Sequence, residues 1–226
     1  MLDLNLLSET ILLAVKKQED FSVLVNELAI VNLSDLLSIS NDTQKKAFWI
    51  NIYNAFYQVL ASNNPGVGKS IYNLKDICIA QKQFSLDDIE HGILRRGKHK
   101  YGLGYITSFF RSSLHKKLEP STLDFRIHFA LNCGANSCPP IAIYSPTRID
   151  EQLDLSTSSF LEQETTVDKE KQEIMVSRLF LWFRYDFGQK KEVIKILNKC
   201  LNVPVKNYKI KYAQYDYRIK MKNFRI

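Results

Sequence analysis

Residues 47–62 read AFWINIYNAFYQVLAS, apolar around nearly the whole circumference of a helix. Such a helix is expected to be buried. Its longest apolar segment, Ala47–Ala61, is 15 residues long and is interrupted by Asn51, Asn54 and Gln58. A bilayer crossing needs about 20, so this helix belongs in a protein core. Asn41 or Asp42 is placed to cap it, with Gln44 at the capping-box position. At about 100° per residue, Asn51, Asn54 and Gln58 fall in one sector about 60° wide, so a single polar stripe must face something polar.

The rest of the chain has to cover this helix. Its 226 residues are 45% apolar, enough for a core without disulfide or metal staples and within the range of one domain. The net charge of +7 is scattered as KK, RR and KHK among acids. No run reaches the about five like charges of a nucleic-acid arm, so nucleic acid is not an expected partner. MLDLNLLSETILLAVKKQ has an acid at position 3 and no basic segment before its apolar stretch; it reads as an amphipathic helix, not a cleavable signal. Residues 1–40 are expected to form a helical extension packed on the domain, and the protein is expected to be soluble and cytoplasmic. Its four cysteines are then read as thiols.

Downstream, GVGKS lacks the spacing and preceding strand of a phosphate-binding loop. Ile77–Phe84 reads as a short strand. SLDDIEHGILRRG reads as a helix opened by Ser85 with Asp88 as capping partner and closed by Gly97. Glu90 falls in its apolar face and His91 on the flank, so Glu90 is expected to be buried with a histidine partner, His128 or His91. Residues 105–118 carry Ile106, Phe109, Phe110 and Leu114 at helical spacing, and RIHFALN alternates like a strand with His128 on its polar face. CGANSCPPI is turn chemistry. A helix over SPTRIDEQLDLSTSSFLEQ, a hairpin over TVDKEKQEIMVS, helices over RLFLWFRYDF and KKEVIKILNKCLN and a terminal strand over YKIKYAQYDYRI complete the chain. The class is α+β, helix-rich, with a small, mainly antiparallel sheet.

Chemistry concentrates between His128 and Cys138. A thiol becomes a nucleophile when an imidazole takes its proton or backbone dipoles lower its pKa. Cys133 comes after the histidine segment and opens a glycine turn whose amides can serve as oxyanion donors. Cys138 competes, because Pro139-Pro140 can begin a helix whose dipole favours a thiolate. Cys133 is preferred, with His128 or His91 as base, Glu90 as orienter, and Asn51, Asn54, Asn132 and Asn136 as polar groups toward substrate. The structural reading of the same residues is buried, inert thiols and a hydrogen-bonded histidine. Cys-x4-Cys with one upstream histidine gives too few nearby ligands for a zinc site, so no metal or other cofactor is expected. Cys78 and Cys200 read as core, His99 and His115 as exposed.

KAFWINIYNAF, LDDIEHGILRRG, DFRIHFALNCGANSCPPI, LFLWFRYDFG and KYAQYDY, in that order, resemble the motifs of the DUF547 family, a domain of unknown function found in bacterial proteins and in larger plant proteins. The likeness runs from about Lys46 to Tyr217; the family's usual ending resembles Tyr-Asp-Trp, where this chain has Tyr215-Asp216-Tyr217. The resemblance implies that the striped helix, the Glu90-His91 helix and the His128–Cys138 segment share one compact domain. If they line one cleft, the expected site is of the papain or transglutaminase type. The function expected of such a site is that of a cysteine-dependent hydrolase or acyl transferase acting on an amide or thioester, its substrate a protein or small molecule; the alternative is a non-catalytic interaction module with structural thiols.

Overall fold

The computed structural model describes residues 2–109, 111–201 and 204–225. Asp3 caps helix α1 (Leu4–Lys17), its carboxylate accepting from the amides of Asn5 and Leu6. Helices α2 (Ser22–Ile30) and α3 (Leu33–Leu37) lead to α4 (Asp42–Asn63). Asn41 caps α4 by accepting from the Gln44 amide at 2.8 Å, and Phe48, Trp49, Ile50 and Ile52 are fully or almost fully buried. Leu7, Ile11 and Leu12 of α1 share one hydrophobic cluster with these residues. No described helix is long and apolar enough to cross a membrane.

The expected strand at 77–84 is a hairpin. Strands β1 (Ile77–Ile79) and β2 (Lys82–Phe84) pair antiparallel, Ile77 opposite Phe84. The turn residues Ala80 and Gln81 both take positive φ, +52° and +59°, the conformation of a tight two-residue hairpin turn. Their amides are tied to the carbonyls of Leu28 and Ala29 at the end of α2.

Ser85 and Asp88 form the expected capping box: the Ser85 amide donates to Asp88 Oδ2 at 2.7 Å and the Asp88 amide to Ser85 Oγ at 3.1 Å. The helix they open is a π-helix, Asp88–Leu94, not an α-helix. The Arg95 amide reaches back to the Glu90 carbonyl at 2.8 Å. The wider turn places Arg95, which helical arithmetic at 3.6 residues per turn did not single out, in the interior with no exposed surface.

Residues 105–118 become helical only at α5 (Ser113–Leu118); Phe109 is 95% exposed, and Phe110 lies outside the described residues. RIHFALN is not a strand. Phe125–Phe129 is a 3₁₀ turn, the Asp124 side chain accepting from the Arg126 amide at 3.1 Å. The apolar phase divides between two cores, Ile127 and Leu131 joining the α4 cluster and Phe129 a second with Phe160, Ile174, Phe180 and Phe187, while His128 and Asn132 of the polar phase are buried as well. Lys46 and Arg126 both bond Asp124. Burial opposes the Asp124 charge, but these two cations pull its carboxyl down to about 2, tying the turn to α4.

Helix α6 (Ile149–Glu164), strands β3 (Thr166–Asp168) and β4 (Glu173–Val176), the short α7 (Leu179–Trp182), α8 (Lys190–Leu201) and β5 (Lys209–Tyr212) complete the chain. β3 pairs antiparallel with β4, and β5 adds to β4 in parallel, so the second sheet is mixed. The protein is α+β with helix predominating.

Candidate functional site

The polar stripe of α4 faces backbone. Asn51 donates from Nδ2 to the Tyr144 carbonyl at 2.7 Å, and its Oδ1 accepts from the Tyr144 amide at 2.9 Å. Asn54 repeats the pattern, donating to the Ala130 carbonyl and accepting from the Asn132 amide, both at 2.9 Å. Gln58 Oε1 accepts from the Lys222 amide at 2.8 Å. Asn132 folds the next turn by donating to the Pro139 carbonyl at 2.7 Å and accepting from Gly134 N–H at 2.8 Å. The buried amides of Asn51, Asn54 and Asn132, each both donating and accepting, fix the loop 130–144 at both ends, while Gln58 Nε2 has no partner among the described residues. The C-terminal segment crosses its middle: Asn136 N–H donates to the Arg218 carbonyl, Lys220 N–H to Gly134 and Ile141 N–H to Asn223, while Asn136 Nδ2 donates to Asp216 at 2.9 Å.

That crossing carries Tyr215 onto the thiols. Its hydroxyl lies 3.4 Å from Cys133 Sγ and 3.1 Å from Cys138 Sγ, and Cys133 N–H donates to Cys138 Sγ at 3.2 Å. All four cysteines are free thiols; Cys138 is buried and Cys133 half-buried. Hydrogen bonds from the Cys138 thiol, then from Tyr215 and the Ala135 amide, bring the Cys133 thiol down to about 7 against the opposing effect of burial. Cys138 moves the other way, pushed up by its bond to Cys133 and by burial. The two thiols are moved apart, Cys133 becoming the more acidic and Cys138 the less. Tyrosines wall the pair. Tyr72 OH donates to the Cys133 carbonyl at 3.4 Å, and Tyr57 packs against Gly134, where a Cβ would fall 2.6 Å from its ring and hydroxyl. Gly134 also holds φ at +72°, so no other residue fits this turn without strain. Burial first, then the thiols, raises the pKa of Tyr215 and Tyr72, and both phenols stay donors.

The histidines belong to a second network. His128 Nε2 lies 2.9 Å from Asp186 Oδ2, and Arg95 Nε donates to the same oxygen at 2.6 Å. The Arg95 and Asp186 side chains have no exposed surface. Burial opposes the Asp186 charge, but His128 and Arg95 hold its carboxyl below the usual range. A carboxylate only accepts, so Nε2 of His128 carries the proton and Nδ1 is its basic nitrogen. Burial depresses the His128 pKa despite Asp186, and its ring stacks on Phe183 at 3.9 Å, with the Arg95 guanidinium 4.6 Å from the Phe183 ring. Arg95 also reaches His91 Nδ1 at 2.8 Å. A guanidinium only donates, so His91 Nδ1 is an acceptor already in use. Burial and the Arg95 charge bring the His91 pKa down to about 3.

Glu90 connects the two networks electrostatically. Its Oε2 accepts from Tyr53 OH at 3.2 Å, and its Oε1 lies 3.8 Å from His91 Nδ1. That nitrogen is held by Arg95, so the acid's hydrogen-bond partner is Tyr53, not the expected histidine. The Glu90 charge nevertheless acts on both sides, raising the Cys133 thiol and countering the depression of His128.

The candidate residues thus divide. Cys133 and Cys138 meet each other; His128 and His91 meet through Asp186 and Arg95; neither imidazole is hydrogen-bonded to a thiol among the described residues. Asn51, Asn54, Asn132 and Asn136 are engaged with protein groups. The amides of residues 133, 134 and 136–138 are also bonded internally, leaving the Ala135 amide directed at Cys133. Pro139-Pro140 begins no helix, so Cys138 has no helix dipole behind it. Cys78 and Cys200 are half-buried, not fully core, and His115 is half-buried, stacked on Phe84 at 6.0 Å. A surface cleft of about 460 Å³ lies beside Lys75, Asp88, Arg111 and His115, away from the thiols. No group of three or more potential ligands able to hold a metal is formed among the described residues.

Asp186, Arg95 and Tyr215 lie within the quoted motifs, but no periodicity or spacing marks them as site residues. Two had a readable signal: Arg95 and Asp186 are opposite charges embedded in the apolar stretches ILRR and WFRYDF, and such charges need a buried partner. Fold and site together define a helix-rich α+β protein with a half-buried, hydrogen-bonded cysteine thiol of lowered pKa. The chain belongs to the family described as protein of unknown function, DUF547, whose family model matches residues 37–161. The match takes in Glu90, His128, Cys133 and Cys138 and ends before Asp186 and Tyr215, short of the Tyr217 limit expected from the motifs. No curated protein and no solved structure matches the chain.

Proposed function

We propose that this protein is a cysteine-dependent hydrolase or acyl transferase acting on an amide or thioester, with Cys133 as nucleophile. The observation that carries the reading is the Cys133 sulfur itself: half-buried, hydrogen-bonded by Tyr215, and brought down to about 7. At neutral pH about half of such a thiol is already thiolate, so attack needs no base in contact with it. When the sulfur bonds to a carbonyl carbon, its charge passes to the carbonyl oxygen. The Tyr215 hydroxyl and Ala135 amide that held the sulfur are then released to hold that oxyanion. Its collapse re-forms the carbonyl, breaks the substrate's C–S or C–N bond and leaves the acyl group on Cys133, the departing thiolate or amine taking its proton from solvent. His128 is the candidate base for the water that clears the acyl group, because Nδ1 is its unprotonated nitrogen; His91 is unsuited, its Nδ1 taken by Arg95.

The test is an acyl adduct. Incubation with an aryl thioester is expected to release thiol in a burst stoichiometric with protein and to leave the acyl group on Cys133, identified by peptide mass. Cys133→Ser should abolish the burst. Acylation spread evenly over Cys78, Cys133 and Cys200 would refute the assignment.

One observation favours the second reading, an interaction module. Tyr101, Leu103, Tyr105, Ile106 and Phe109 are exposed on one loop, more apolar surface than a short loop ordinarily shows to water. Asn51 and Asn54, fully buried, do not contribute to such a surface. A protein without the acyl burst, whose Cys133 alkylates no faster than Cys78, would be read this way.

A further inference from the structure

We infer that Cys133 and Cys138 form a reversible dithiol–disulfide couple, a redox modification site at which a hydroperoxide is the oxidant. The inference does not rest on acyl transfer; it needs only two thiols and their surroundings. Both sulfurs lie within 3.4 Å of one hydroxyl, that of Tyr215, and the Cys133 amide donates to the Cys138 sulfur. The segment between them turns at Gly134, whose positive φ lets the chain double back. Asn132, Lys220 and Arg218 hold that turn by hydrogen bonds, so the thiols are kept facing each other. Their roles are unequal. Cys133, half-buried and the more acidic, meets the oxidant; Cys138, buried and protonated, waits behind it.

The chemistry balances in two steps. The Cys133 thiolate attacks the terminal peroxide oxygen and the O–O bond breaks. Cys133 becomes a sulfenic acid, and the alkoxide leaves as alcohol after taking a proton from solvent. Cys138 sulfur then attacks the sulfenic sulfur; the S–S bond forms, the S–O bond breaks, and hydroxide leaves as water with the Cys138 proton. In sum, two thiols lose two electrons and two protons, and ROOH becomes ROH and water. The disulfide removes both the nucleophile and the negative charge that Tyr215 faces, so oxidation silences the site and reduction restores it.

The experiment uses the full reduced chain and one equivalent of hydrogen peroxide, with alkylation and peptide mass analysis afterwards. The expected product is a 133–138 peptide lacking two hydrogens, with Cys78 and Cys200 still alkylatable and the change undone by dithiothreitol. Loss of the Cys133 thiol should outpace that of Cys78 by about tenfold or more. In Cys138→Ser the reaction should stop at a Cys133 sulfenic acid captured by dimedone. Sulfinic acid at Cys133 beside an alkylatable Cys138, intermolecular disulfides, or four thiols untouched would each overturn the inference, and the parent-chain measurement does so even if the variant fails to fold. Failure of the acyl burst leaves the inference standing, since no oxidant enters that assay.

Discussion

The amides of α4 and the hydroxyl of Tyr215 act on the same loop, residues 130–144, and do opposite things to it. Asn51 and Asn54 each give and receive one hydrogen bond with loop backbone and have no exposed surface. Those protons have fixed owners, because an amide side chain does not titrate. Around Tyr215 the donors are two thiols and a phenol within 3.4 Å, and there the proton's owner is decided by environment. Saturated groups fix position; shared protons make reactivity. The Arg95–Asp186–His128 network combines both characters, since Arg95 Nη2 and Asp186 Oδ1 have no partner among the described residues.

The largest effect is expected where a buried charge would be stranded. Arg95→Met leaves Asp186, whose side chain has no exposed surface, without its guanidinium, and loss of one partner of such a pair costs about 3–5 kcal/mol. Denaturant unfolding should show this loss, and Arg95→Met with Asp186→Leu should recover much of it. A loss below about 1 kcal/mol would mean the network is not the rigid unit described.

Next in size is Asn54→Ala. It removes two hydrogen bonds and leaves the Ala130 carbonyl and Asn132 amide buried without partners, each costing about 1–3 kcal/mol. The same change frees one end of the loop, so Cys138 should become alkylatable in the folded protein. Destabilisation with Cys138 still protected would show that the C-terminal crossing alone holds the loop.

The sequence exposed these two regions unequally. The stripe Asn51-Asn54-Gln58 is legible because its order comes from one helix, and the Ser85–Asp88 box because its partners lie three residues apart. Arg95 meets Asp186 across 91 positions, and Tyr215 meets Cys133 across 82, beyond any local periodicity. RIHFALN misleads for another reason. Alternation reports two environments, and it reads as a strand when the polar one is taken as solvent; here His128 and Asn132 of the polar phase are buried in hydrogen bonds with Asp186 and Pro139. The π-turn is hidden because its residues form an equally good α-helical pattern, and only packing in the core selects the wider turn.

A pH titration separates the regions further. His91, His115 and His128 all have depressed pKa values, His91 at about 3 against an ordinary 6.5. Below 6.5 the unfolded chain binds protons that the folded histidines refuse, so stability falls as pH falls from 6.5. Asp88, Asp124 and Asp186 are depressed acids, whose contribution is present above 3.8 and lost below it. Between pH 6.5 and about 4.5 the histidines therefore drive the decline. His91→Gln retains an acceptor for Arg95 and should flatten the slope by about 1.4 kcal/mol per pH unit. Parallel curves for parent and variant would place His91 in a solvated setting instead.

The smallest stability effect should come from Tyr215→Phe, and it isolates chemistry from structure. The ring is retained, with its contact to Trp182 at 4.8 Å; only the hydroxyl shared by the two sulfurs is lost. Thiols are weak acceptors, so stability should change by no more than about 1 kcal/mol. The thiolate loses one of its donors, however, and the Cys133 pKa should rise from about 7 toward the ordinary thiol value. A rise of one unit cuts the thiolate fraction at pH 7 about fivefold. Alkylation of Cys133 by iodoacetamide at that pH should slow by a similar factor, while rates above pH 9 converge with those of the parent, since Cys133 is then ionised in both proteins. A variant that alkylates equally fast across the whole range would assign the activation to Cys138 and the Ala135 amide alone, and Tyr215 would join Asn51 and Asn54 as a group that only holds the loop. A variant slower at every pH, with no convergence, would mean that the hydroxyl controls access to the sulfur and leaves its ionisation unchanged.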